Sequence, residues 1–353
     1  MPQKALVAMS GGVDSSVAAA LLLEKNGDCV GVTLKLFGNV SGIAAGSSEA
    51  NFDDARQVAE KLNIPYKIMD LSKEFRDHVI LPFIETYEQG ATPNPCVECN
   101  RHIKFAFPLY LTMGLDFDLF CTGHYAQTEQ SGSRWLLKKA ADLKKDQSYV
   151  LYNLTQSQLQ RCFFPLGKLL KSEVRSIAEE KGFTNSGKKE SQDICFVPDG
   201  DYGAFMEQYS GRTYDQGDIL DQDGKVMGRH NGQVRYTLGQ RRGLGVAVNY
   251  PIYVCAKDAV KNTVTLGPES SLYSKTLDAD RINLIACDTL EKPMKVSVKT
   301  RYLQAEKPAR AIQTGKDEIR IEFDEAQRAL TPGQSAVLYD GDIVVGGGII
   351  SCR

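Results

Sequence analysis

The sequence predicts an α/β chain: a doubly wound parallel sheet first, then a small central β-rich domain, then a C-terminal β-barrel. Three observations carry this. Short apolar runs alternate with helical patterns up to about residue 205. A Ser10-Gly11-Gly12 loop sits between a strand pattern and a helix pattern. Beyond about residue 205, glycines, aspartates and short alternating runs replace helices. At 353 residues the chain is too long for one compact core. The changes of texture place domains at 1–205, 206–275 and 276–353.

The elements follow in order. Residues 5–9 form a short apolar run, and 15–25 are rich in alanine and leucine, with Gly27 where a C-terminal cap would fall. Residues 29–37 are β-branched with partial alternation. Between 52 and 62, Ala55, Val58, Ala59 and Leu62 share one helical face. Residues 66–71 read as a strand. From 74 to 87, Phe75, Val79, Phe83 and Tyr87 make one helical stripe. Residues 119–122 read as a fourth strand, ending at Gly123-His124. In the last domain Val296, Val298 and Thr300 alternate with polar residues, as do Ile319, Ile321 and Phe323. Asp340-Gly341 between two apolar runs marks a hairpin.

Composition excludes several classes. An apolar fraction of 42% and a charged fraction of 24% are ordinary for a globular protein. No apolar run approaches the roughly 18 residues of a membrane span. The N-terminal apolar stretch is short and leads into the glycine loop, unlike a signal peptide, so a cytosolic protein is expected. Nine scattered cysteines suit a reducing compartment. Net charge is −2, yet two segments are basic: 225–242 holds five basic and no acidic residues, and 292–320 holds eight basic and three acidic. Such segments are solvated faces or sites for a phosphate backbone.

The loop at Ala8, Met9, Ser10, Gly11, Gly12, Val13, Asp14 and Ser15 reads as an anion site. The glycines admit an anion closely, the next helix offers free N–H groups, and the serines add donors. Asp14 is out of place beside phosphates unless it meets magnesium. The loop resembles the PP-loop of the ATP pyrophosphatase superfamily, which splits ATP between the α and β phosphates and transfers AMP.

Cys96 and Cys99 form a CxxC in a proline-rich loop before an expected helix. It is half a zinc site or a reactive thiol. Cys99, near that helix N-terminus and beside Arg101 and Lys104, is expected to have a lowered pKa. Cys195 lies in ESQDICF at 190–196, and a lone cysteine is more often a small apolar residue.

Together, SGGVDSS, TPNPCVECNRHIKF, TGHYA at 122–126, KDQSY at 145–149, ESQDICF and YTLGQRRGLG at 236–245 resemble, in the same order, the motifs of the bacterial tRNA-specific 2-thiouridylases. The resemblance runs to GGGII at 346–350. It implies an adenine nucleotide alpha hydrolase-like first domain and a tRNA-contacting barrel. It also implies a tRNA-uridine 2-sulfurtransferase that adenylates the C2 oxygen of the wobble uridine and installs a persulfide sulfur. By matching position, Cys195 carries the persulfide and Cys99 is the nucleophile. Leu34 and Gly123 contact the adenosine part of ATP. Asn94, Pro95 and Cys96 line the target base. His124, Lys145, Asp146, Gln147, Arg301, Tyr302 and Gln334 contact tRNA. ATP, magnesium, tRNA and a persulfide donor protein are the implied cofactors and partners, with no membrane. The chain departs from the pattern at Gly46, Ser47 and Ser48, where many relatives have a cysteine pair, and at position 96, cysteine in some relatives and aspartate in others. Cys96, Cys99 and Cys195 are alternatively three ligands of an iron–sulfur cluster. Two rival readings are a PP-loop enzyme acting on a small molecule and a non-catalytic nucleotide- or RNA-binding protein.

Overall fold

The computed structural model describes residues 4–26, 28–37, 49–106, 108, 117–188, 194–197 and 199–352. Gly27, Gly46–Ser48 and residues 190–193 lie outside them, so the readings made at those positions have no structural counterpart here.

Five strands form the first sheet: β1 (Ala5–Ala8), β2 (Cys29–Lys35), β3 (Tyr66–Asp70), β4 (Leu119–Cys121) and, after a hairpin β5 (Gln127–Ser131) and β6 (Arg134–Lys138), the short β7 (Cys162–Phe163). Their order is β3-β2-β1-β4-β7, all parallel. Order reverses on either side of β1, which places a ligand crevice at the C-terminal ends of β1 and β4. The pleat sends alternate residues to opposite faces. Ala5 and Val7 pack with Val17, Ala18 and Leu22 of the helix Val13–Asn26. Leu6 packs the other way, with Phe120, Phe105 and Tyr149.

The stripe Phe75, Val79, Phe83 and Tyr87 is buried as its spacing predicts, although its helix has a wide π turn at Arg76–Ile80. The same cluster takes in Cys99 and Phe196, so two remote cysteine segments are packed around one set of aromatic rings. Phe196 sits edge-on to Phe75 and Phe83 at 5.7 and 5.3 Å.

The central sheet orders β10 (Tyr253–Asp258), β11 (Thr263–Gly267), β8 (Gln216–Leu220) and β9 (Val226–Asn231). The last six strands, β12 (Tyr273–Leu284), β13 (Met294–Lys299), β14 (Lys307–Gly315), β15 (Glu318–Arg328), β16 (Ser335–Asp340) and β17 (Ile343–Ile350), close into a barrel through pairing of β12 with β17. Closure removes the free edges that such a sheet would expose. Val296, Val298, Ile319, Ile321 and Phe323 fill its interior, as their alternation predicts. Asp340 faces Ile343 across the expected hairpin, with Gly341 at φ 59°.

One junction has no sequence signal. The hairpin β5–β6, from the first part of the chain, extends the barrel sheet by pairing Lys138 with Ile343. Val337, Tyr339 and Val344 of the barrel also enter the core on the Leu6 face. The barrel is therefore fixed to the parallel-sheet domain by both a ladder and a shared core. No helix among the described residues is long and apolar enough to cross a membrane.

Candidate active site

The loop after β1 is built by close approach. Gly11 has φ +73°, and a Cβ there would lie 2.3 Å from the carbonyl oxygen of Asn51, so only glycine fits. Gly123, at the exit of β4, would place a Cβ 2.8 Å from the carbonyl carbon of Asp14 and 2.9 Å from the amide of Ser15. The second strand end thus touches the start of the helix that follows the loop. Ser10 donates its amide to Ser15 Oγ at 3.1 Å, and Ser15 and Ser16 hydroxyls both donate to the Gly12 carbonyl at 3.0 Å. Asn185 braces the loop from outside, donating to the Gly11 carbonyl at 3.0 Å and Ser16 Oγ at 2.9 Å. Val13 opens the helix with its side chain buried, and the buried Met9 accepts from the Thr33 hydroxyl through its carbonyl.

This loop faces a cavity of about 270 Å³. Of the residues expected to hold ATP, Ala8, Met9, Ser10, Asp14, Ser15, Leu34 and Gly123 line it, while Gly11, Gly12 and Val13 shape the turn behind. Asp14 is not left open for a metal. Lys171, the first residue of the helix Lys171–Glu180, donates to both its carboxylate oxygens at 2.7 and 2.8 Å, and the Tyr125 hydroxyl donates at 2.8 Å. A partly buried carboxylate requires a counter-charge, and a lysine distant in sequence supplies it.

A second cavity of about 340 Å³ adjoins the first, sharing Ser10, Thr33, Leu34, Leu36 and Lys104 as wall. Pro95, Cys96, Cys99 and Cys195 line it. The two sulfurs named by the sequence, far apart in the chain, therefore face one space that is continuous with the nucleotide loop.

The thiols differ from expectation in acidity. Cys99 ends the short helix Pro95–Cys99 rather than starting it, and the chain continues as a wide turn, Asn100–Lys104. It is 6% exposed, and this burial pushes its thiol up to about 12, with Lys104 pulling the other way. The expected lowering is overturned because desolvation outweighs one nearby cation. Arg101 is exposed. Cys195 is open to solvent within the concave cavity, yet the surrounding protein still pushes its thiol up to about 11. Cys96 is exposed. Among the described residues, no three His, Cys, Asp or Glu side chains are grouped to hold a metal ion. Cys96, Cys99 and Cys195 share a cavity without converging as ligands.

The residues matched to tRNA contact fall into two groups. His124 is 8% exposed, bonded to the Thr122 hydroxyl at 2.8 Å and packed against Phe105 and Phe164. Burial, with Lys104 nearby, holds its pKa well below the usual histidine range, so it is neutral. It lines the nucleotide cavity rather than an outer surface, as does Gln147, whose Oε1 accepts the Tyr125 amide. Asp146 is buried and accepts from Ala140 and Ser148, so it is a brace and not a surface contact. Lys145 is half-buried beside it.

The second group gathers where the barrel meets residues 92–95. Gln334 donates to the carbonyls of Thr92 and Pro93 at 3.1 and 2.9 Å, and the Thr92 amide donates to the Pro332 carbonyl at 2.8 Å. Gln334 thus holds the loop that precedes Asn94. Asn94 hydrogen-bonds the buried Tyr149 hydroxyl, whose ring meets Tyr302 at 6.0 Å, and Pro95 is buried. Arg301 is half-buried and donates to the Ala329 carbonyl and the Thr331 hydroxyl at 3.0 Å each.

Sequence reasoning missed Lys171, Asn185 and Tyr125. Only Lys171 carried a signal. A cation at the first position of a helix opposes the helix dipole, and so points to a nearby carboxylate.

Known families match in three consecutive stretches. Residues 3–199 match the family model described as a tRNA methyl transferase HUP domain. Residues 203–268 match a tRNA methyl transferase PRC-barrel domain, and 274–350 an aminomethyltransferase beta-barrel domain. Full-length relatives bear a different activity in their names. The chain is 46% identical to the tRNA-specific 2-thiouridylase MnmA of Clostridioides difficile over 99% of this chain and 98% of that one. It is 46% identical to the protein of the same name in Halothermothrix orenii, over 98% of both chains. Identity to the Treponema denticola protein is 44%, over 98% of this chain and 97% of the other.

Proposed function

The chain belongs to the tRNA-specific 2-thiouridylase family and catalyses ATP-dependent 2-thiolation of tRNA, and from that premise we propose how its residues divide the work. ATP lies in the cavity of the PP-loop, and the flipped wobble uridine enters beside residues 94–96. The C2 oxygen bonds to the α-phosphorus, pyrophosphate leaves, and the N3 proton passes to solvent. C2 now carries AMP as leaving group. The terminal sulfur of a Cys195 persulfide attacks C2, and AMP departs. The Cys99 thiolate then attacks Cys195 Sγ. The S–S bond breaks, the sulfur stays on C2, N3 regains a proton, and a Cys99–Cys195 disulfide remains for an external thiol to reduce.

The observation that carries this reading is the shared cavity: Cys99 and Cys195 line one space, and that space continues into the nucleotide loop. Their high thiol pKa values imply that little thiolate forms before substrate arrives.

Two implied groups fit unequally. Magnesium enters with the ATP phosphates; Asp14, already bonded to Lys171 and Tyr125, is not a ready ligand, and no step here depends on it. Among the described residues no three His, Cys, Asp or Glu side chains are grouped as metal ligands, and no step here is routed through an iron–sulfur cluster. Tyr302, Arg301 and the basic segments 225–242 and 292–320 are the proposed tRNA contacts, and a persulfide-carrying cytosolic protein the proposed sulfur donor.

The test supplies ATP, magnesium, a persulfide donor and unmodified tRNA, then measures nucleosides by mass. 2-Thiouridine, AMP and pyrophosphate are expected. Cys99→Ser and Cys195→Ser should lose the product while tRNA binding stays. Thiolated tRNA from Cys195→Ser, or ATP consumption that needs a small amine instead of tRNA, would overturn the reading.

A further inference from the structure

One cation stands between the two cavities. Lys104 ends the wide turn Asn100–Lys104 and lines both the nucleotide space and the thiol space. Among the described residues it is the only lysine or arginine on either wall. No aspartate or glutamate lines the thiol cavity, and Asp14, on the nucleotide wall, is taken by Lys171. Lys104 is half-buried and forms no ion pair with a described carboxylate. A cation partly withdrawn from water and left without a counter-charge is poised for an anion.

The reaction derived above puts anions at this boundary twice. Negative charge builds on the α-phosphoryl oxygens as C2–O attacks. It then shifts to the attacking sulfur and the departing AMP. We propose that Lys104 is a further catalytic residue of the thiolation, a fixed ammonium that holds the charge developing between the α-phosphoryl group and the sulfur as it moves from one cavity to the other. The proposal rests on the thiolation reading. No bond to Lys104 forms or breaks. Its field already reaches both reacting thiols in the right sense, opposing the burial that raises them and so favouring the thiolate at Cys99 and at Cys195. Its position follows from the wide turn: one extra residue per turn at Asn100–Lys104 ends the helix of Cys99 with the lysine on the cavity wall.

The test compares Lys104→Met and Lys104→Arg with wild type in the full chain, using ATP, magnesium, persulfide donor and tRNA. Lys104→Met should lower kcat for 2-thiouridine by about 10²–10³-fold, the usual loss when one preorganised charge donor is removed. The KM for tRNA should change by less than about threefold, since the ammonium acts on charge that exists only in the transition state. Lys104→Arg should recover part of the loss. The pH profile for alkylation of Cys195 by iodoacetamide should move to higher pH in Lys104→Met and stay near wild type in Lys104→Arg, a readout a merely structural lysine would not shift. Thiolation by Lys104→Met within about threefold of wild type overturns the proposal. So does equal loss in both variants with an unmoved alkylation profile. A wild-type protein that makes no thiolated tRNA sinks the functional reading instead, which keeps the two failures apart.

Discussion

Replacing Lys171 by methionine isolates the charge compensation at the phosphate loop. Lys171 Nζ reaches both oxygens of Asp14 at 2.7 and 2.8 Å, and the two side chains are 11% and 31% exposed. Exposed ion pairs are worth about 0–1 kcal/mol, and removing one partner of a buried pair costs about 3–5. This pair lies between, so a coupling of about 2 kcal/mol is expected. In Lys171→Met the Asp14 carboxylate keeps only the Tyr125 hydroxyl and sits uncompensated on the wall that receives phosphates. ATP affinity should then fall by about 30-fold, the equivalent of that energy. Asp14→Asn in the same background removes the repelling charge and should restore most of the affinity. Titration calorimetry on wild type, both single variants and the double variant measures the full cycle. If Lys171→Met binds ATP as wild type does, or the double variant binds no better than Lys171→Met, the lysine is not what makes an acidic phosphate loop workable.

The raised thiol pKa values set the pH dependence of modification. At about 11, Cys195 is thiolate in only about one molecule in a thousand at pH 8, and the reactive form is gained as pH rises. Its iodoacetamide rate, followed by peptide mass mapping, should climb about tenfold per pH unit from 7 to 10, while the buried Cys99 stays unmodified in the folded protein; a Cys195 rate already level by pH 8 contradicts the assigned acidity. Gln334→Ala removes two hydrogen bonds to the Thr92 and Pro93 carbonyls, loosening the loop before Asn94 by about 1–2 kcal/mol. Thiolation should fall several-fold with ATP affinity unchanged, and parallel loss of both would show that the contact is not specific to the target-base loop. Gly123→Ala drives a methyl into the Asp14–Ser15 backbone, costing about 1–3 kcal/mol. Chemical unfolding and ATP titration should both register it, and normal ATP binding would mean that the loop shifts freely.

Much of the scaffold was legible because its signals are local. Alternation put Val296, Val298, Ile319 and Ile321 inside a barrel, the four-residue stripe from Phe75 buried one helix face, and Asp340-Gly341 turned a hairpin. Each depends only on period or turn chemistry within a few residues. The phosphate loop was legible for the same reason, since Gly11 and the serines act on neighbours in the chain. The two thiols were named through a resemblance of motifs, which gives identity and leaves the chemical state open.

That state belongs to the tertiary structure. An expected helix N-terminus and basic neighbours suggested an acidic Cys99, but the thiol is packed with a cluster that includes Phe75, Phe83 and Phe196, drawn from two other segments, and desolvation reverses the shift. His124 and Gln147 face the nucleotide cavity, Asp146 braces a turn, and Gln334 reaches back across the chain to Thr92. Lys171 signals a carboxylate but not which one, and it finds Asp14 from far along the chain, while the hairpin Gln127–Lys138 finds the barrel without any cue near it. Acidity, ion pairing and burial are set by which groups lie within a few ångströms in space. A linear pattern fixes such neighbours only along the chain, and here the deciding ones arrive from far along it.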